Sequence, residues 1–109
     1  MNLQIHVTDL VMSDAMREHL ERRIQFALSR FGDQVRRVNV HIWHRDAVQE
    51  GGHNGCRIEV AVQNVGIIAA DDMHPDAYEA IDVSIERVGR AVGRALSHLR
   101  SDNRFKRTA

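Results

Sequence analysis

"CRIEVAVQNVGIIAA", residues 56–70, decides the fold. Cys56, Ile58, Val60 and Val62 alternate with Arg57, Glu59 and Ala61, the two-residue period of a strand buried on one face. "NVG" (64–66) then supplies turn chemistry and "IIAA" (67–70) is extended again, so the stretch reads as two strands joined by a turn.

Working upstream, "VRRVNVHIW" (35–43) sets Val38, Val40 and Ile42 on one face and Arg37, Asn39, His41 and Trp43 on the other. The polar, glycine-bearing run from His44 to Gly55 is expected to be a mobile loop, dispensable for folding. Cys56, at the start of the next strand, reads as a small inward hydrophobe. Further back the period lengthens. Met16, Leu20, Ile24, Ala27, Leu28 and Phe31 follow helical spacing, which predicts a helix from about Asp14 to Phe31, with Ser13 as N-cap and Gly32 at its end. At the N-terminus, Leu3, Ile5 and Val7 alternate with polar residues as a first strand.

Downstream, Asp71, Asp72, His74, Pro75 and Asp76 suit a helix N-terminus by capping and charge. Ala77, Ile81, Ile85, Val88, Val92, Ala95 and Leu99 then form an apolar stripe. Residues 101–109 lack periodicity and are expected to be a flexible tail to a domain spanning 1–100. The order is βαβββα: an α+β single domain with two helices packed on one face of a four-stranded antiparallel sheet, its other face wetter.

With 109 residues, 43% of them hydrophobic, the chain suffices for one core and not two. Fifteen acidic residues cancel fifteen basic ones, so any affinity for nucleic acid must come from where the charges sit. A lone cysteine, with no signal segment and no apolar run of membrane length, points to a cytoplasmic protein without membrane association.

"ERVGRAVGRAL" (86–96) is where the charges sort. At about 100° per residue, Arg87, Arg90 and Arg94 project away from the apolar stripe, while Gly89 and Gly93 occupy a flank. Each glycine costs up to about 1 kcal/mol of helix propensity, which favours close approach of the first helix or of a partner. On the first helix His19, Arg22, Arg23, Phe26 and Arg30 fall on one flank and Glu18, Glu21 and Gln25 on the other. Side by side, the arginine flanks would merge into one basic groove holding an exposed aromatic, a combination suited to RNA. Neutralisation of the arginines by Glu79 and Glu86 on an ordinary solvated face is the plainer reading. Arg22, Arg23, Arg30, Arg87, Arg90 and Arg94 are the candidate RNA-binding residues, with Phe26, Arg36, Arg37 and Tyr78 as secondary contacts.

Other chemistry finds little support. His41 and His44 belong to opposite faces of a strand, and His53 with Cys56 lacks the further ligands of a tetrahedral site. Capping accounts for the acids and histidine at 71–76 without acid–base catalysis. No enzyme activity, metal, cofactor or small-molecule substrate is therefore expected. Trp43 on the open face suits stacking on a partner, or a face covered by folding or by self-association.

"HPDAYEAIDVSIERVGRAV" (74–92) resembles the signature of the hibernation-promoting factor and ribosome-associated inhibitor A family. His74, Asp76, Tyr78, Ala80, Ile81 and Asp82 match its pattern, with Pro75 and Ala77 in place of Glu and Met. "NLQIHV" and "LVMSDAMREHLERRI" are similar to the family's first strand and helix. The resemblance implies a bacterial factor of stress or stationary phase that binds the rRNA of the small ribosomal subunit across the tRNA and mRNA path, blocks initiation and preserves idle ribosomes. It places Arg23, Arg87, Arg90 and Arg94 at basic sites of the family's helices and Phe26 at a site often basic there. It also implies a short form, without the C-terminal dimerisation domain of the long members. The alternative is a protein-interaction module on the same scaffold that uses the open sheet face, as in a homodimer.

Overall fold

The computed structural model describes residues 1–46 and 53–108, with side chains as far as Asp102. Strand β1 (Asn2–Thr8) leads through helix α1 (Asp14–Leu28) and a short 3-10 turn (Ser29–Gln34) to β2 (Val35–Arg45), β3 (His53–Val62), β4 (Gly66–His74) and helix α2 (Ala77–Thr108). The sheet order is β1-β2-β3-β4, and the α+β βαβββα architecture is the one expected.

The expectation of an all-antiparallel sheet is corrected at one junction. β2–β3 and β3–β4 are antiparallel, but β1 runs parallel to β2, from Asn2 opposite Arg37 to Thr8 opposite Trp43. A helix between two strands carries the chain back to the starting end of the sheet, as parallel pairing requires.

The register sorts the side chains into cross-strand rows. Leu3–Val38–Val60–Ile68 and Ile5–Val40–Ile58–Ala70 face the helices. Met16, Leu20, Ile24 and Leu28 of α1 and Ile81, Ile85, Val88, Val92 and Leu96 of α2 close over these rows, all buried. In α2 the stripe is shifted from the expected one: Ala80 and Ser84 are buried, while Ala77, Ala95 and Leu99 are half-buried. Buried Ser84 is satisfied by donating its hydroxyl to the Cys56 carbonyl, 3.0 Å away. Cys56 itself is fully buried, as its inward position predicts, and burial pushes its thiol up to about 12.

Element ends differ from the sequence reading for identifiable reasons. Ser13 caps α1 by accepting from the Met16 amide at 3.1 Å. α1 stops at Leu28, and Gly32 sits at φ 56°, ψ −134°, a conformation suited to glycine, inside the following turn. Asp71, Asp72 and His74 belong to β4 rather than to the start of α2, and their strand register with Arg57, Cys56 and Asn54 holds them there. Asp76 caps α2 instead, its Oδ1 accepting from the Tyr78 amide at 2.9 Å. α2 continues through the segment read as a tail as far as Thr108. The run His44 to Gly55, expected as a loop, is strand at both ends. His44 and Arg45 pair with Asn54 and His53, and the expectation of mobility for residues 47–52 falls outside the described residues.

Candidate nucleic-acid interface

α1 and α2 lie side by side on the sheet, and their contact is where the two glycines fall. A Cβ on Gly89 would meet Ala27 Cβ at 3.7 Å, and one on Gly93 would meet the Arg30 guanidinium at 3.5 Å and the Phe31 ring at 3.6 Å. Gly89 thus marks the approach of the first helix, as its flank position suggests, and Gly93 the approach of the turn that follows that helix. These are ordinary contact distances, so an alanine fits where a longer side chain does not.

Above that seam lies a groove. A cavity of about 310 Å³ is lined by Arg23, Phe26 and Ala27 from α1, Arg30 from the turn that follows it, and Ile85, Glu86, Gly89 and Arg90 from α2. Further along, Arg30 and Phe31 with Gly93, Arg94, Ser97, His98 and Arg100 line a second hollow of about 650 Å³. The two arginine flanks do merge, through Arg23, Arg30, Arg90 and Arg94. Phe26, 82% exposed, stands on the groove wall.

Not every candidate reaches this groove. Arg87 turns to the other side of α2, where Arg87, Arg90 and Arg94 line a shallow hollow against Ala69 and Ala70 of β4. Its guanidinium donates to the Asp71 carbonyl at 2.8 Å and to Asp72 Oδ1 at 3.3 Å. Arg22 is exposed and lines neither hollow. Arg37 belongs to the open sheet face, and exposed Arg36 sits where the β2–β3 register shifts; neither lines the groove.

The ion pairs are uneven. Arg90 is 2.6 Å from Glu86 and Arg23 Nε 3.4 Å from Asp82, the latter an ion-pair distance without a well-formed hydrogen bond at that nitrogen. Among the described residues, Arg22, Arg30, Arg94 and Arg100 have no acidic partner. Instead, Arg30 lies 4.6 Å from the centre of the Phe31 ring. The Glu86 pairing expected of a solvated face is therefore present, and among the described residues Glu79 joins no ion pair. Because exposed pairs are worth about 0–1 kcal/mol, an incoming phosphate can displace them.

One cluster was not foreseen. His19 Nε2 lies 2.7 Å from Asp82 Oδ1, beside Arg23, and the His19 ring meets Tyr78 edge-on at 5.1 Å. This ties the start of α2 to α1. The sequence signal is present, since His19 and Arg23 are one turn apart on a single flank, but their partner Asp82 lies 63 residues beyond His19.

The open sheet face carries a different chemistry. His6 and His41 stack at 4.9 Å, and Arg57 pairs with Asp71 at 3.2 Å. The Trp43 indole lies across Gly55, filling the space a side chain there would need, and its buried Nε1 has no hydrogen-bond partner. His41 and His44 are on opposite faces, as the strand period requires. Among the described residues no three His, Cys, Asp or Glu side chains converge as a metal site, and no described helix is long and apolar enough to cross a membrane.

The scaffold is shared with solved structures. The N-terminal domain of Protein Y from Thermus thermophilus superposes with a TM-score of 0.67 at 22% identity, over 86% of this chain and 98% of that one. A ribosomal subunit interface protein from Coxiella burnetii does so with a TM-score of 0.70 at 15% identity, over 89% and 99%. At these identities the likeness shows the fold. No curated protein matches the chain. Family membership comes from the sequence itself: residues 3–100 match the family described as sigma 54 modulation protein / S30EA ribosomal protein. The chain belongs to that family of ribosome-associated proteins, the one its second helix resembles.

Proposed function

We propose that this protein is a cytoplasmic, non-enzymatic translation inhibitor, a hibernation factor that binds rRNA of the small ribosomal subunit through arginines on both helices. The observation that carries the reading is the groove in which Arg23 of α1 and Arg30 of the following turn meet Arg90 of α2, continued by Arg94 in the adjoining hollow, on a chain whose net charge is zero. Of these, Arg30 and Arg94 have no acidic partner among the described residues, and their planar guanidiniums are suited to bidentate phosphate contact. Arg87, from the neighbouring hollow, extends the basic surface across the crest of α2.

Co-sedimentation with purified small subunits at several salt concentrations tests this. Replacing Arg87, Arg90 and Arg94 together with Gln removes charge from exposed positions, so stability should change by no more than about 0.5 kcal/mol each. Subunit binding should weaken strongly, and log affinity should fall less steeply with log salt because fewer counterions are released. Glu79→Gln, at an exposed site without an ion pair, is the control that should leave binding unchanged or tighter. Binding and salt slope like those of the unaltered protein would sink the RNA reading. The open sheet face, where Ile67 and Met73 are exposed, would then become the surface to test for a protein partner or a second copy.

A further inference from the structure

We propose that the groove between α1 and α2 holds one unpaired nucleobase of single-stranded RNA, stacked on Phe26. The inference rests on the RNA-binding reading and adds a base contact to its phosphate contacts.

Phe26 has no role in the fold. It is 82% exposed, while Met16, Leu20, Ile24 and Leu28 supply the buried side of α1. A lone exposed apolar side chain is common, but this one borders a groove rimmed by guanidiniums, where an occupant has both a ring to stack on and charges to meet. Beneath it the groove is kept open by small residues, Ala27 facing Gly89 with Ile85 alongside, and the resulting cavity of about 310 Å³ has room for a planar ring system. Around the rim stand the guanidiniums of Arg23, Arg30 and Arg90 and the carboxylate of Glu86.

That mixture selects among occupants. An apolar peptide side chain would satisfy Phe26 but would desolvate four charged groups to no purpose. A nucleobase offers two π faces for the phenyl ring and for a guanidinium plane, a polar edge for the charged rim, and a flanking phosphate on each side. The second hollow, with Arg94 and Arg100, continues the basic track in the direction such a strand would run. Duplex RNA keeps its bases stacked inside and cannot present one to Phe26.

The test uses the full chain. Phe26→Ala, at a position too exposed to threaten folding, should lose about tenfold or more in affinity for a single-stranded RNA oligonucleotide and for the small subunit. Its salt slope should remain that of the unaltered protein, since no charge is removed. Phe26→Trp should retain binding, and its emission should be quenched by the single strand, beyond any change from Trp43 in the unaltered protein, and not by a duplex of the same composition. Unaltered affinity in Phe26→Ala, equal losses for single strand and duplex, or no quenching of Phe26→Trp even at low salt would each overturn the proposal. If the triple arginine variant still loses subunit binding, only the base contact has failed; if that variant also binds normally, the RNA-binding reading itself has failed.

Discussion

Gly55 and Gly89 each face another element, yet adding one methyl group should have opposite effects. At Gly55 the new Cβ would occupy the place of the Trp43 indole, so Gly55→Ala should destabilise by about 1–3 kcal/mol in urea unfolding as the ring is displaced. At Gly89 it would rest against Ala27 at 3.7 Å, so Gly89→Ala should be neutral or stabilising by up to about 1 kcal/mol from helix propensity. The second case was partly legible, because a glycine on the flank of an amphipathic helix announces close approach. The first is not, since it depends on Trp43 and Gly55 being paired across two strands, whereas in the sequence Gly55 closes a polar, loop-like run. Cys56 offers a third residue-level check. Its thiol is buried and pushed up to about 12, so at pH 8 a thiol reagent should react only at the rate at which the protein opens. Rapid labelling of the native state would contradict that burial.

Among the elements, the β2–β3 hairpin departs furthest from its sequence reading, and His44 shows why. Polar residues at 44–55 give no alternation to mark a strand, yet the ladder continues because side chains tie it. His44 lies 2.9 Å from Asn54 Oδ1 through Nδ1 and 2.9 Å from Asp46 Oδ1 through Nε2, while Asn54 Nδ2 donates to the Pro75 carbonyl at 2.8 Å. Both ring nitrogens face acceptors, which only the imidazolium can serve as a double donor, so the bond to Asn54 first and that to Asp46 next raise the His44 pKa above 6.5. A raised folded value means that the contribution is fully present below 6.5 and is lost as pH rises through the folded pKa. An NMR titration should place His44 above the usual histidine value, and Asn54→Ala should bring it down; unchanged titration in that variant would show the bond to be idle. The α2 stripe, by contrast, was readable over most of its length because its period is regular, and its displacement toward Ala80 and Ser84 reflects how the helix sits on β3 and β4.

Across the whole molecule, which measures 59 × 28 × 17 Å, charge is balanced in number and unbalanced in place. Helical projection is enough to foresee that Arg23, Arg30 and Arg90 share a groove with Arg94 in the hollow beside it, because packing two amphipathic helices on one sheet leaves little choice about which flanks meet. It could not foresee that Arg87 would turn toward β4 or that Asp82 would hold Arg23, since both depend on tertiary placement. Element order was legible as well, but the direction of β1 in the sheet was misread, and that direction bears on the order of assembly. β2, β3 and β4 are joined by short connections and can pair locally, whereas β1 meets β2 only after α1 and its following turn have brought the chain back. Loop closure must precede that reward, so β1 should dock late, after the rate-limiting barrier. Truncating Ile5 to Ala should then accelerate unfolding while leaving the folding rate nearly unchanged, whereas Ile58→Val in the central hairpin should slow folding. Equal effects of the two substitutions on the folding arm of a chevron plot would place β1 in the nucleus. Late docking makes the N-terminal strand the detachable edge of the sheet: its amides should exchange with deuterium first, in a partial opening that leaves the α2 groove assembled.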